Sequence, residues 1–74
     1  MRFIAHIPEP FREDSIEWLV LEIDKHGTNG IFIFSHKSLD EECEYDDWYE
    51  DIDKTFTEAR RRWGVRKSDW TTEI

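Results

Sequence analysis

Residues Glu50–Gly64, EDIDKTFTEARRRWG, carry the periodicity around which the rest of the chain is arranged. Ile52, Phe56, Ala59 and Trp63 recur at steps of four, three and four, the spacing of one stripe on an α-helix. Asp53, Lys54, Thr57, Glu58, Arg61 and Arg62 fall on the opposite, polar face, with Glu58 and Arg62 in the i,i+4 order that favours an ion pair. Asp51 is placed to cap the N-terminus and Asp53 adds negative charge to the first turn. Arg60, Arg61 and Arg62 load the last turn, and Gly64 stands where helices commonly end in a left-handed residue. The pattern predicts a helix over Asp51–Trp63 that buries its stripe against a sheet.

Outward from the helix, the N-terminal half reads as strands. Arg2–Ile7 alternates, with Phe3, Ala5 and Ile7 on one face, before Pro8 and Pro10 stop regular pairing. Ile16–Ile23 admits two readings. Ile16, Leu19, Val20 and Ile23 fit a helical stripe with Ser15 as N-cap, whereas the shortness of the run and its β-branched and aromatic residues fit a strand. The turn-rich segment from Asp24 to Gly30, followed by the apolar run Ile31–Phe34, favours a hairpin and therefore the strand. Between Ser35 and Asp47 the composition becomes acidic and reads as a solvent-side loop tacked down by Leu39 and Tyr45. Trp48 and Tyr49 read as a short strand or a staple before the helix. Val65 is expected to pack back on the last helical turn, and Ser68-Asp69-Trp70 to form a turn carrying an aromatic plug.

The expected fold is α+β: one domain over residues 1–74, with a small antiparallel sheet of about three strands, Arg2–Ile7, Glu17–Ile23 and Gly30–Ser35. The C-terminal helix packs across one face and leaves the other partly open. The alternative is a β-α-β-α arrangement with Ser15–His26 helical.

At 74 residues the core is thin, and 4 Trp, 5 Phe and 2 Tyr compensate for its small volume. A deep catalytic pocket has little volume from which to be carved. The formal charge of −8 opposes binding to phosphate backbones and anionic membranes. Cys43 is the only cysteine, which points to a reducing, cytoplasmic setting. The N-terminal residues lack the apolar run of a signal peptide, and no stretch approaches the ~20 apolar residues of a membrane span.

The segment Asp46-Asp47-Trp48-Tyr49-Glu50, the Ala-containing amphipathic helix, Trp63-Gly64-Val65 and Asp69-Trp70 together resemble the C-terminal half of short, uncharacterised bacterial proteins. Those proteins carry an acidic D-x-W-[YH] segment, a helix, a G-[VI] stop and a closing D-W. The resemblance covers roughly residues 40 to 70. It implies the helix and its boundaries, and it implies no functional residue.

Half of the chain's 18 acidic residues lie between Asp40 and Asp53, while Lys54–Lys67 is rich in Lys and Arg, so a dipolar molecule is expected. Asp40, Glu41, Glu42, Glu44, Asp46 and Asp47 are the candidate partner-binding residues, forming an acidic surface for a protein with a basic surface. The plainer reading of the same run is a solvated loop that keeps a small domain soluble. As a calcium loop, Asp46, Asp47, Glu50, Asp51 and Asp53 lack the spacing and the glycine of an EF-hand. His6, His36 and Cys43 lack the close pairs typical of zinc sites. Cys43 stands between Glu42 and Glu44, which disfavour a thiolate, and so is a poor nucleophile. Arg60, Arg61, Arg62, Arg66 and Lys67 beside Trp63 form a basic patch, but Trp63 belongs to the core stripe and helix C-termini favour cations in any case.

These features predict a small non-catalytic interaction or accessory protein with no cofactor, no metal and no direct contact with nucleic acid or membrane. The alternatives are a nucleic-acid mimic that inhibits a basic protein, of the immunity or anti-restriction type, and a minor enzyme or metal-binding protein.

Overall fold

The computed structural model describes residues 2–23 and 30–72. Five strands form one antiparallel sheet: β1 (Arg2–His6), β2 (Trp18–Ile23), β3 (Ile31–His36), β4 (Tyr45–Tyr49) and β5 (Thr71–Thr72). The single α-helix among the described residues, α1, spans Ile52–Trp63, and short 3-10 turns occupy Glu9–Phe11 and Lys67–Asp69. The α+β class with one helix is as expected, while the sheet has five strands rather than about three. The order β4-β3-β2-β1-β5 is a four-strand meander, after which α1 carries the chain from the β4 edge to the opposite edge. There β5 pairs with β1 through Phe3–Thr72 and Ile4–Thr71.

The ambiguous run Ile16–Ile23 is a strand over Trp18–Ile23, one residue shorter at its start than the expected Glu17–Ile23, and β2 is the central strand, paired on one side with β1 and on the other with β3. A strand in that position has neighbours along both edges, and Leu19, Val20 and Leu21 are all buried. The hairpin register Ile23–Ile31 joins β2 to β3 as expected. The turn residues 24–29 lie outside the described residues. The expected acidic loop shortens at both ends, because Ser35 and His36 complete β3 and Tyr45–Asp47 open β4.

The register sorts side chains onto two faces. Phe3, Leu21 and Ile33 stand in one cross-strand row, Ala5, Leu19 and Ser35 in the next, and Ile23, Ile31 and Tyr49 in a third. These rows face α1 and, with Ile7, Ile16, Ala59 and Val65, make up the core. Of the expected helical stripe, Ala59 is fully buried and Ile52, Phe56 and Trp63 pack against the core while half-buried. Thr55 is fully buried as well, a position absent from the apolar pattern, and its hydroxyl donates to the Asp51 carbonyl at 2.7 Å. Trp70 is the expected plug, with its ring centroid 6.4 Å from that of Phe56.

Both helix ends follow the expectation. The Lys54 amide donates to Asp51 Oδ1 at 2.7 Å. Gly64 adopts φ 65°, and its amide donates to the Arg60 carbonyl while that of Val65 donates to Ala59. The surface ion pairs differ from the expectation. Glu58 is taken by Arg61 rather than Arg62, and Arg62 turns toward β4 to reach Asp47 at 3.2 Å. An i,i+3 pair serves Glu58 as well as an i,i+4 pair does, which frees Arg62 for a tertiary contact.

The second sheet face has no helix over it. It carries Ile4, Trp18, Val20, Phe32, Phe34 and Trp48, laid out by the same register. The rings pack on one another: Phe32 and Phe34 stack at 5.9 Å, and Trp18 meets the His6 ring at 4.4 Å. A side chain at Gly30 would occupy the space of the Trp48 indole. This mutual cover leaves Val20 only 1% exposed although it points away from α1.

Candidate functional site: the acidic end of the sheet

In an antiparallel meander, the β1–β2 and β3–β4 connections emerge at the same end of the sheet. Residues 7–17 and 37–44 are these connections, and backbone hydrogen bonds tie both to the strand ends. The Ile7 amide donates to Glu17, the Glu17 amide to His36, and the Glu44 amide to Ser35 at 2.7 Å. The acidic run from Asp40 thereby leaves from the same end of the sheet as Glu13 and Asp14, from which sequence separates it by more than twenty residues.

The two loops hold their carboxylates differently. Glu13–Ile16 is a tight turn, closed by the Ile16 amide donating to Glu13 at 2.9 Å, with Asp14 at φ 52° and Ser15 at φ 65°. Two successive left-handed central residues are the requirement of a type I′ turn, which Asp meets more easily than Ser. In the other loop, the Ser38 hydroxyl accepts from the Asp40 amide, and the Glu41 carbonyl is 3.0 Å from His36 Nδ1.

The six expected partner-binding residues do not form one patch. Asp40, Glu41 and Glu42 are exposed in the loop and form no ion pair among the described residues. Glu44 is 3.6 Å from Lys37 Nζ. Asp46 and Asp47 are adjacent in β4 and therefore face opposite ways: Asp46 pairs across to Phe34 on the open face, and Asp47 pairs across to Ile33 on the helix side.

Asp47 forms part of a cleft of about 240 Å³ between the Glu13–Ile16 turn, β4 and the end of α1. Glu13, Asp14, Ser35, Tyr45 and Arg62 join it there, with Ile16 and Trp63 as apolar walls. Arg62 reaches Asp47 and, at 3.4 Å, the Tyr49 hydroxyl, while its guanidinium carbon lies 4.3 Å from the Trp63 ring centroid. Partial burial disfavours the Arg62 cation, but the Tyr49 hydrogen bond and Asp47 outweigh it and raise its pKa above the usual arginine value. Glu13 and Asp14 were missed from sequence because neither belongs to the acidic run. The signal that finds them is the meander itself.

The basic residues near the helix end are mostly engaged. Arg61 holds Glu58 and Arg66 holds Asp69, which leaves Arg60 and Lys67 with no ion pair among the described residues. Lys67 Nζ lies over the Phe56 ring at 5.5 Å. His6 and His36 both stand on the open face, flanking Trp18 in register, and Cys43 is exposed in the β3–β4 loop. Among the described residues, no group of three or more His, Cys, Asp or Glu is arranged to hold a metal ion, and no helix is long and apolar enough to cross a membrane.

No protein-family model, curated protein or solved structure matches this chain.

Proposed function

We propose that this chain is a small, non-catalytic interaction protein that binds a basic surface of another protein through the acidic end of its sheet. The observation that carries this reading is the convergence of two separate loops there. Glu13 and Asp14 from one, and Asp40, Glu41 and Glu42 from the other, form no ion pair among the described residues. Carboxylates left unneutralised at one end, on a chain of net charge −8, attract cationic partners and repel phosphate backbones. The single exposed Cys43 suits a reducing compartment, and we read the protein as cytosolic.

The test is to isolate a partner from the native host, purify it and measure its affinity across salt concentrations for wild type and for Asp40→Asn/Glu41→Gln/Glu42→Gln. Binding that weakens with salt and with neutralisation supports the acidic end. Salt-insensitive binding unaffected by the triple variant rejects it and moves attention to the aromatic sheet face. A partner that is itself displaced from DNA or RNA by this protein identifies a nucleic-acid mimic.

A further inference from the structure

We infer that the cleft between the Glu13–Ile16 turn, β4 and the end of α1 receives a primary alkylammonium group, the chemistry of a lysine side chain on the partner. This rests on the reading of the acidic end as a surface for a basic protein, and it names the group that enters. Three carboxylates, Glu13, Asp14 and Asp47, line the cleft against one guanidinium, that of Arg62. Arg62 already occupies Asp47, so the charge left for a ligand is that of Glu13 and Asp14.

Ser35 supplies the independent observation. It is only 3% exposed, yet it lines the cleft; its hydroxyl makes no side-chain hydrogen bond among the described residues and is not one of their fully enclosed unpaired atoms. Its backbone carbonyl is taken by the Glu44 amide, so the hydroxyl is its free polar group. A hydroxyl on an otherwise buried residue, lining the same cleft as two carboxylates, is an acceptor for a donor that enters from outside.

Size and donor geometry select the ligand. About 240 Å³ is below the ~300–1,000 Å³ of pockets for free small molecules and suits a single side chain. An ammonium is compact and carries three donors, which matches separate acceptors on two carboxylates and a hydroxyl. A guanidinium presents a flat fork suited to one carboxylate, the role Arg62 already fills at Asp47. Tyr45, 59% exposed at the mouth, offers an apolar wall for an alkyl stem.

The experiment is an NMR titration of the full isotope-labelled chain with Nα-acetyl-lysine amide, its Nε-acetylated form and Nα-acetyl-arginine amide. The expected result is saturable shifts at Glu13–Ile16, Ser35, Tyr45 and the Trp63 indole with the lysine compound, absent with the Nε-acetylated one. Asp14→Asn, which keeps a residue tolerant of the left-handed turn, is expected to weaken this binding about two- to fivefold, the range of a solvent-exposed charge pair. Ser35→Ala is expected to weaken it also, while the melting curve shows the variant folded. Absence of saturable shifts, equal shifts with the Nε-acetylated compound, or arginine binding as tight as lysine overturns the inference. A basic partner that binds in a salt-sensitive way while the cleft resonances stay silent overturns the cleft alone. Cleft shifts that saturate while partner binding ignores Asp40, Glu41 and Glu42 support the cleft and reject the broader acidic-end reading.

Discussion

The ring of Phe11 lies against the α-carbon of Gly64, so that a β-carbon on Gly64 would come within 2.5 Å of Phe11 Cδ2. Phe11 is 44% exposed and belongs to the β1–β2 loop, whereas Gly64 ends α1 in the left-handed conformation. The contact closes the helix C-terminus with a residue more than fifty positions away.

Gly64→Ala therefore meets two obstacles. The left-handed backbone costs a non-glycine residue about 1–2 kcal/mol, and the Phe11 ring must also move. The expected loss in melting temperature is at least about 5 °C for a domain of this size. Phe11→Ala in the same chain should restore the part due to the ring and leave the backbone part, which a double-mutant cycle measures.

Core substitutions should rank by burial rather than by side-chain size. Leu19 and Leu21 are fully buried in the central strand, so Leu19→Ala or Leu21→Ala should cost about 2–5 kcal/mol. That is close to the whole stability of a small domain, of which about 5 kcal/mol is typical. Phe56 and Trp63 are only half-buried, so Phe56→Ala should cost less than the ~3–5 kcal/mol of a fully buried aromatic. Urea midpoints for the three variants test the order, and a Phe56→Ala midpoint below that of Leu21→Ala contradicts it.

The parts of the fold visible in sequence were those where side-chain period and backbone chemistry agree. Ile52, Phe56, Ala59 and Trp63 with Asp51 and Gly64 define α1 to within a residue, and the turn-rich stretch after Ile23 places β2 and β3. β4 is legible only at its end, where Trp48 and Tyr49 read as a short strand or a staple, because its inward positions are Tyr45, Asp47 and Tyr49 and carry no apolar alternation. Asp47 there is neutralised by Arg62, a contact no local pattern reveals. β5 is two residues long and has no pattern of its own. The cleft was invisible for a topological reason. Glu13 and Asp14 meet Ser35, Tyr45 and Asp47 only because alternate connections of a meander share an end, and Ser35 reads locally as the polar start of a loop.

Asp69 should make stability pH-dependent with a definite sign. Its carboxylate accepts from the Arg66 amide at 2.8 Å, and this bond first, then the Arg66 guanidinium, holds its pKa below the ordinary 3.8. Glu58 is held below its ordinary 4.5 by its hydrogen bond from Arg61. Both folded values lie below the unfolded ones, so the stabilisation is fully present above the unfolded values and is lost as pH falls through the folded ones. Asp69→Asn should therefore melt below wild type at pH 7, and the gap should close below the ordinary aspartate value. Melts of both proteins from pH 7 to pH 2 test this, and a gap that widens in acid contradicts it.

Neutralising the β3–β4 loop separates its role in stability from its role in binding. Of Asp40, Glu41, Glu42 and Glu44, only Glu44 has an ion-pair partner among the described residues, Lys37 at 3.6 Å. Both side chains of that pair are more than two-fifths exposed, so it contributes at most about 1 kcal/mol. The Asp40 and Glu44 backbone amides donate to Ser38 and Ser35, bonds that an amide side chain leaves intact. Against the small loss at Glu44 stands relief of repulsion among four like charges crowded on one exposed loop. Replacing all four by Asn or Gln should thus leave the melting temperature within about 5 °C of wild type, the shift that 1 kcal/mol produces in a domain of this size. Affinity for a cationic partner should fall in the same variant. A larger drop in melting temperature would show that these carboxylates hold the fold, and would remove the loop from the binding surface.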